Sequence, residues 1–369
     1  MSDHDRRGHD HRAPKALFIL KRREDYSTNI VNFAYGPVAT GMFNSATFVS
    51  NMLNEAGIES KVVTVIDNNC IDREVHNYKP THVFIEGYWV VPEKFDVLKR
   101  FHHNVKWVVR CHSELPFLAQ EGIAIDWTFE YLKRGIAVAG NSPRISRELN
   151  LIGHWARVPE NLHDDFMPML PNYYPVSPKP LREQPNKLNP LNDGVFDIAC
   201  FGAIRPMKNH LLQAVSAVEF TKKHHRKLRF HINAGRVEMN GANSLKNLIA
   251  FFKHLGPDYQ LIQHAWTSHE KFLKLVAKMD ICMQVSFSES FNIVSADAVS
   301  VGVPIVVSKE VYWAYPYFAD PNSSDNITKV MATIWNNSDS FEDYNRKALH
   351  KYVHNSKQIW LAFFKYHPH

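Results

Sequence analysis

The segment SFSESFNIVSADAVSVGVPIVVS, Ser286 to Ser308, is largely apolar yet keeps two acids, Glu289 and Asp297, eight positions apart. The preceding DICMQV reads as a buried strand. SFSES is then the turn after it, and the next helix begins near Phe291. Glu289 therefore sits at a strand carboxyl end. Asp297 lies about two helical turns further on, on roughly the same face. Two acceptor groups so placed suit a hydroxyl-rich ligand held at two points. The plain alternative makes Glu289 a helix cap and Asp297 the partner of a surface cation.

A second stretch, FGAIRPMKNH, follows the strand FDIACFG. That strand ends at Gly202, and Arg205 and Lys208 come just before the next helix. Two cations beside the free amides of a helix start make an anion site that fits a diphosphate. Both are expected to stand exposed at a cleft. In VVRCHSELPF a strand end presents His112 and Ser113. His112 suits a hydrogen bond to a sugar hydroxyl or support of a transition state; a structural histidine is the alternative. YGPVATGMFNS carries Gly36 and Gly41 ahead of a helix, but no Lys-Ser/Thr follows Gly41, so it is not a P-loop. No GxGxxG follows the first strand, which argues against a dinucleotide dehydrogenase. The only D-x-D metal pattern noted, Asp3 to Asp5, lies in a polar tail rather than after a strand, so no metal is expected.

The elements that must position these residues alternate. KALFIL is a first buried strand. MFNSATFVSNMLNEAGI is a helix with Gly57 as its C-cap. KVVTVI, HVFIE, VKWVVR and GIAVA are further strands, with helices such as PEKFDVLKRFHH between them. After the Pro- and Asn-rich PNYYPVSPKPLREQPNKLNPLNDG the alternation restarts with FDIACFG, MKNHLLQAVSAVEFTKKHH, LRFHIN, YQLIQ, DICMQV and PIVVS. Strands alternating with helices predict parallel sheets covered on both faces, an α/β chain with two Rossmann-like domains. The expected division is a flexible tail over 1–14, a first domain over 15–172, a linker over 173–194, a second domain over 195–340 and a C-terminal helix over 341–369. That helix begins at a Ser N-cap with an acid in its first turn.

VSFSESFNIVSADAVSVGVPIVVS resembles the signature of retaining glycosyltransferases of the GT-B fold, the nucleotide-sugar family with a Glu-x7-Glu motif. Ser286, Glu289, Phe291, Ala298, Gly302 and Pro304 carry the match. FGAIRPMKNH resembles that family's phosphate loop, with Lys208 at the lysine position. LPNYYP looks like its domain hinge, and the last helix looks like the one that crosses back to the first domain. Three positions depart: Asp297 stands for the second Glu, Asn292 for a glycine and Ala203 for an arginine. The shorter Asp297 puts its reach to a nucleotide ribose in question, and Arg205 would supply the missing charge from a shifted position.

The resemblance implies a nucleoside diphosphate sugar as donor and two Rossmann-like domains whose parallel sheets face a central cleft. It implies catalytic roles for Glu289, His112, Arg205 and Lys208. Donor binding falls to Gly41, Gly202, Arg205, Lys208, Ser290, Phe291, Asn292, Ile293 and Asp297. Arg205, Lys208 and the amides near Phe291 would stabilise the leaving diphosphate, with no cofactor and no metal. Glu289 either binds sugar hydroxyls or acts as a nucleophile. The first domain also resembles bacteriophage-encoded glycosyltransferases, some of which modify hydroxymethylated pyrimidines in DNA, so DNA is a candidate acceptor, with a glycan or small molecule close behind. An epimerase or phosphorylase on the same fold and a non-catalytic nucleic-acid-binding protein are the rivals.

Composition fits a soluble globular protein. The chain has 369 residues, 45% hydrophobic and 22% charged, which suits about two domains. No apolar run is long enough to span a membrane, and the polar start lacks a signal-peptide pattern. Four cysteines, none in a CxxC pair, point to buried reduced thiols and a cytoplasmic setting, which the bacteriophage resemblance implies is that of a bacterium or an infected host cell. A net charge of +6 is compatible with a polyanionic partner. The basic clusters are Lys21 to Arg23, after the first strand, and Lys222 to Arg229, at the far end of its helix. YWVV and VYWAYPYF add aromatic rings suited to stacking on bases or sugars, or to core packing.

Overall fold

The computed structural model describes residues 13–22, 40–159, 163–177, 179–181 and 194–366. The tail's Asp3 to Asp5, Arg23, Gly36 and most of the expected linker lie outside the described residues. Two compact units are present: Met1–Tyr174 with Asn355–His369, and Pro175–His354.

In the first unit, strands β1 (Lys15–Lys21), β2 (Glu59–Val65), β3 (His82–Glu86), β4 (Lys106–Cys111) and β5 (Ala137–Gly140) form one sheet in the order β2-β1-β3-β4-β5. Every pairing is parallel. Helices α1 (Thr40–Glu55), α2 (Ile71–Tyr78), α3 (Lys94–Phe101), α4 (Leu115–Leu118), α5 (Ala124–Lys133), α6 (Pro143–Trp155) and α7 (His163–Phe166) connect and cover it. Both sheet faces are packed, so HVFIE is buried at every position rather than alternating. Ile19, Val83 and Val109 face one core; Phe18, Phe84 and Val108 face the other. Gly57 ends α1 with φ +84°, and Ile58 donates back to Leu53 at 2.9 Å, the left-handed stop that glycine permits.

The second unit repeats the plan. Strands β6 (Val195–Ala199), β7 (Lys227–Asn233), β8 (Tyr259–His264), β9 (Ile281–Gln284) and β10 (Ile305–Val307) lie in the order β10-β9-β6-β7-β8, all parallel. Helices α8 (His210–Lys223), α9 (Gly241–Leu255), α10 (His269–Val276), α11 (Ile293–Val301) and α12 (Ser324–Asn336) accompany them. The last helix, α13 (Ser338–Tyr366), starts three residues before the expected 341, so Ser340, the expected N-cap, lies inside it; its part from Asn355 belongs to the first unit. There Trp360, Phe363 and Phe364 pack with Phe18 and Phe84, and Trp360 Nε1 donates to the Pro171 carbonyl at 2.8 Å. No helix among the described residues is long and apolar enough to cross a membrane.

Cys111, Cys200 and Cys282 are buried and Cys70 is half-buried, all as free thiols. Burial pushes the Cys111 and Cys200 thiols up to about 12, which makes them packing groups rather than nucleophiles.

Candidate functional site

Strand order locates the candidate site of the second unit. From β6 the chain moves outward through β7 and β8, then returns to place β9 on the other side of β6. This is the switch point beside which open parallel sheets bind their ligands, and the loops leaving the carboxyl ends of β6 and β9 meet there. The loop after β6 carries Gly202, Arg205 and Lys208; the loop after β9 carries Glu289 and Asn292.

Gly202 has φ +110°, a conformation that side chains resist, and its N–H donates to Asn233 Oδ1 at 2.9 Å. Ile204 pairs with the 236–238 segment: its N–H donates to the Arg236 carbonyl and its carbonyl accepts from Glu238, both at 2.9 Å. Gly241 closes against the same backbone, since a Cβ there would lie 2.0 Å from the Ile204 oxygen. A single 3₁₀ turn, Pro206–Lys208, then leads through left-handed Asn209 into α8. Asn209 Nδ2 donates to the carbonyls of Val285 and Pro321, at 3.2 and 2.8 Å, and ties this turn to the β9 loop.

Lys208 is the main correction to the sequence reading. It is buried, 6% exposed, rather than standing free at a cleft. Its Nζ lies 2.5 Å from Glu289 Oε1 and 3.5 Å from Gln284 Oε1. Burial holds the ammonium below its ordinary value, with Glu289 opposing that effect. Arg205 is partly buried and pairs with Glu238 at 3.7 Å. His210, first residue of α8, is buried, and neither ring nitrogen has a hydrogen-bond partner. Burial, then Lys208 and Arg205, pushes it down to about 3, so it is neutral at pH 7.

α11 starts at Ile293, two residues after Phe291. Asn292 caps it with φ +59° and accepts from the Ser295 N–H at 2.8 Å. This explains one departure from the family pattern. The position needs a left-handed residue, and asparagine tolerates that better than other side chains while adding a cap. Asn292 Nδ2 also donates to Gln284 Oε1 at 2.9 Å. Phe291 is buried; its carbonyl accepts from Trp313 Nε1 at 2.7 Å and its ring stacks on Tyr352. Ser290 is buried beside Glu289.

Asp297 does not stand open beside Glu289. It is 2% exposed, and its Oδ1 bonds His269 Nε2 at 2.7 Å. Its partner is thus a histidine at the start of α10. Burial works to lower the His269 imidazole, but the bond and charge of Asp297 prevail and raise it above its ordinary value. The sequence reading missed His269, since only the pairing of α10 with α11 brings the two together.

In the first unit, His112 follows β4 and is 11% exposed at its side chain, less open than expected. Its Nε2 bonds Glu86 Oε2 at the end of β3. Glu86 is fully buried and also takes Arg110 Nη1 on both oxygens, at 2.8 and 3.0 Å. Burial alone would raise the Glu86 carboxyl; Arg110 and then His112 outweigh it and hold it below the usual carboxylate range. Arg110 is anchored by the Leu170 carbonyl at 3.2 Å and by Asn172 Oδ1 at 3.3 Å. Glu86 and Arg110 escaped the sequence reading because both sit inside runs that read as core strand. Gly41 lies in the first turn of α1 with open space where a Cβ would be. No group of three or more His, Cys, Asp or Glu among the described residues is arranged to hold a metal.

Comparison with solved structures decides the architecture. An E. coli trehalose-6-phosphate protein bound with UDP-2-fluoro glucose superposes with TM-score 0.64 at 10% identity, over 95% of this chain and 99% of that one. The chain has the GT-B fold. The N-terminal domain of the Candida albicans trehalose-6-phosphate phosphatase matches with TM-score 0.68 at 12% identity, over 98% of both chains. A trehalose-6-phosphate synthase studied for glycosyl transfer with retention matches with TM-score 0.60 at 11% identity, over 81% of this chain and 77% of that one. No known protein family matches the sequence, and no curated protein is similar to it in sequence. At these identities the likeness is one of GT-B fold, with two parallel five-stranded sheets.

Proposed function

We propose that this protein is a retaining glycosyltransferase that moves a sugar from a nucleoside diphosphate sugar to a hydroxyl acceptor. The observation that carries the reading is the meeting of Lys208 with Glu289 at 2.5 Å, where the β6 and β9 loops come together. Residues from two loops, 81 positions apart, converge where open parallel sheets bind ligands. Similarity to a structure bound with UDP-2-fluoro glucose agrees with such a donor.

In this reading Lys208 works on both parts of the donor. An ammonium has three donors; Glu289 and Gln284 take two, and the third is directed to the diphosphate. Arg205, Gly202 and the amides of Phe291 and Ile293 complete the anion cradle. Glu289 holds the sugar hydroxyls, with Ser290 and Asn292 fixing its loop. The anomeric carbon–oxygen bond to the diphosphate breaks, the acceptor oxygen bonds the same face, and the acceptor proton passes to the departing diphosphate. This balance requires neither a protein nucleophile nor a metal. In the first unit, this reading keeps His112, held by Glu86, as its candidate sugar contact and Gly41 as its candidate donor contact. Asp297 acts through His269 on the nucleotide.

The acceptor hydroxyl belongs either to a hydroxymethylated pyrimidine in DNA or to a glycan or small molecule. The exposed Lys21 and Arg22 at the carboxyl end of β1 speak for DNA. The test supplies UDP-glucose and other nucleoside diphosphate sugars with each acceptor class and reads the anomeric configuration by proton NMR. A product with the donor's configuration supports the reading. Turnover of donor alone to an epimer, or steeply salt-dependent polyanion binding without donor binding, replaces it.

A further inference from the structure

The aromatic motif VYWAYPYF has no part in the chemistry above, yet the structure gives it a defined surface. The three most exposed aromatic side chains among the described residues of the second unit are Tyr315, Tyr317 and Tyr344, at 60%, 53% and 51%. They form one patch. Tyr315 meets Tyr344 edge-on, with ring centroids 6.3 Å apart. Tyr317 meets the buried Phe341 at 5.4 Å, one helical turn before Tyr344 on α13.

The patch is held firmly from beneath. The Tyr315 N–H donates to Asn345 Oδ1 at 3.0 Å, and Asn345 Nδ2 donates to the Phe341 carbonyl at 3.1 Å. On one side Trp313 is bonded to the Phe291 carbonyl; on the other the Ala319 N–H donates to Val307 at 2.8 Å. The loop therefore presents its rings with little ordering left to do on binding, which favours a ligand that offers only weak contacts. It is also continuous, through Trp313, with the segment that carries Glu289.

Exposed tyrosines show a flat apolar face and a hydroxyl rim. That surface suits the C–H faces and hydroxyls of a sugar, and equally a nucleobase. Local charge separates the two. The surrounding turns of α13 hold Asp339, Glu342 and Asp343 against Arg346 and Lys347. Lys347 is paired with Asp343 at 2.6 Å, and Arg346 is engaged by the carbonyls of Ser177 and Ser300. Both cations of this stretch are thus engaged, so the patch lacks the positive track that single-stranded nucleic acid needs.

We infer that Tyr315, Tyr317 and Tyr344 form a binding platform for a neutral glycan chain, separate from the nucleotide site. The platform holds a polymeric sugar by ring stacking next to the segment that bears Glu289. It stands whether or not the donor reading holds.

The experiment is native affinity electrophoresis of the full chain in gels carrying soluble starch, dextran, galactomannan or hydroxyethylcellulose, with oligothymidylate as the polyanion control. The expected result is retardation by at least one neutral glycan. Tyr315→Ala and Tyr344→Ala should each weaken that binding roughly fivefold or more, while Tyr344→Phe keeps most of it, as stacking requires. Thermal melts of the same variants should match wild type, which shows that they fold whether or not the chain binds a nucleoside diphosphate. No retardation by any glycan, unchanged retardation in both alanine variants, or tyrosine-dependent binding of oligothymidylate in place of glycan overturns the inference.

Discussion

Replacing Lys208 by methionine tests both the stability and the chemistry of the site. At 2.5 Å, and with an effective dielectric constant near 20, the attraction between Lys208 and Glu289 is about 6–7 kcal/mol before desolvation. Burial works against the lysine, as its lowered pKa shows, so the pair's net contribution is much smaller. The single variant is costly for another reason. It strands the Glu289 carboxylate, 8% exposed, with Gln284 Nε2 already committed to the Phe201 carbonyl. Breaking one side of such a pair costs about 3–5 kcal/mol, which for a unit of this size lowers its melting temperature by roughly 6–20 °C. The double variant Lys208→Met/Glu289→Gln removes both charges and should recover most of the loss. Differential scanning calorimetry with and without each change reads the result. A single variant within about 1 kcal/mol of wild type, or a double variant no better than the single, refutes the reasoning. An exposed Lys208, as the sequence suggested, would have given that small effect.

Other expectations follow from neighbouring contacts. His210 is neutral in the fold down to about 3 but titrates near 6.5 when unfolded, so stability should fall as pH drops from 6.5 toward 3, by at most about 4–5 kcal/mol; His210→Phe should flatten that part of the pH–stability curve. His269 is raised by Asp297, so its contribution is complete below pH 6.5 and fades as pH rises through its higher folded value. Asp297→Asn should bring the His269 titration, followed by NMR, down toward the ordinary range and weaken nucleoside diphosphate binding. Glu86→Gln should lower the transfer rate more than donor affinity, and it should destabilise the first unit by about 3–5 kcal/mol because Arg110 stays buried without its carboxylate; steady-state kinetics and thermal melts separate the two effects. Gly241→Ala pushes a methyl into the Ile204 carbonyl and must shift the loop that carries Arg205 and Lys208, slowing transfer by roughly 10²-fold.

The alternation of strands and helices was legible because each strand buried on both faces must be a continuous apolar run, as HVFIE is. Gly57 marked the end of α1 correctly because it takes left-handed backbone, whereas β6 stops at Ala199, three residues before the Gly202 expected to end it. The site was legible only as residue types at strand ends. Which groups pair depends on contacts between distant segments: Glu289 with Lys208, Asp297 with His269, His112 with Glu86. No spacing rule reaches across 81, 28 or 26 positions. Lys208 looked like a surface cation because a lysine beside a glycine turn usually is one; here Asn209 folds the turn back under the β9 loop. Glu86 and Arg110 are strand residues whose polar ends point at one another, a pattern that sequence reads as two core positions.

The central claim is that the loops after β6 and β9 grip a nucleoside diphosphate sugar. Isothermal titration of the wild-type chain with uridine, guanosine, adenosine and thymidine diphosphates, and with their glucose conjugates, tests it most directly. At least one pair should bind to a single site, and Arg205→Ala should weaken that binding about tenfold or more, the loss expected for a charged hydrogen bond. Failure of every nucleotide to bind, or an Arg205→Ala variant with wild-type affinity, would contradict the account.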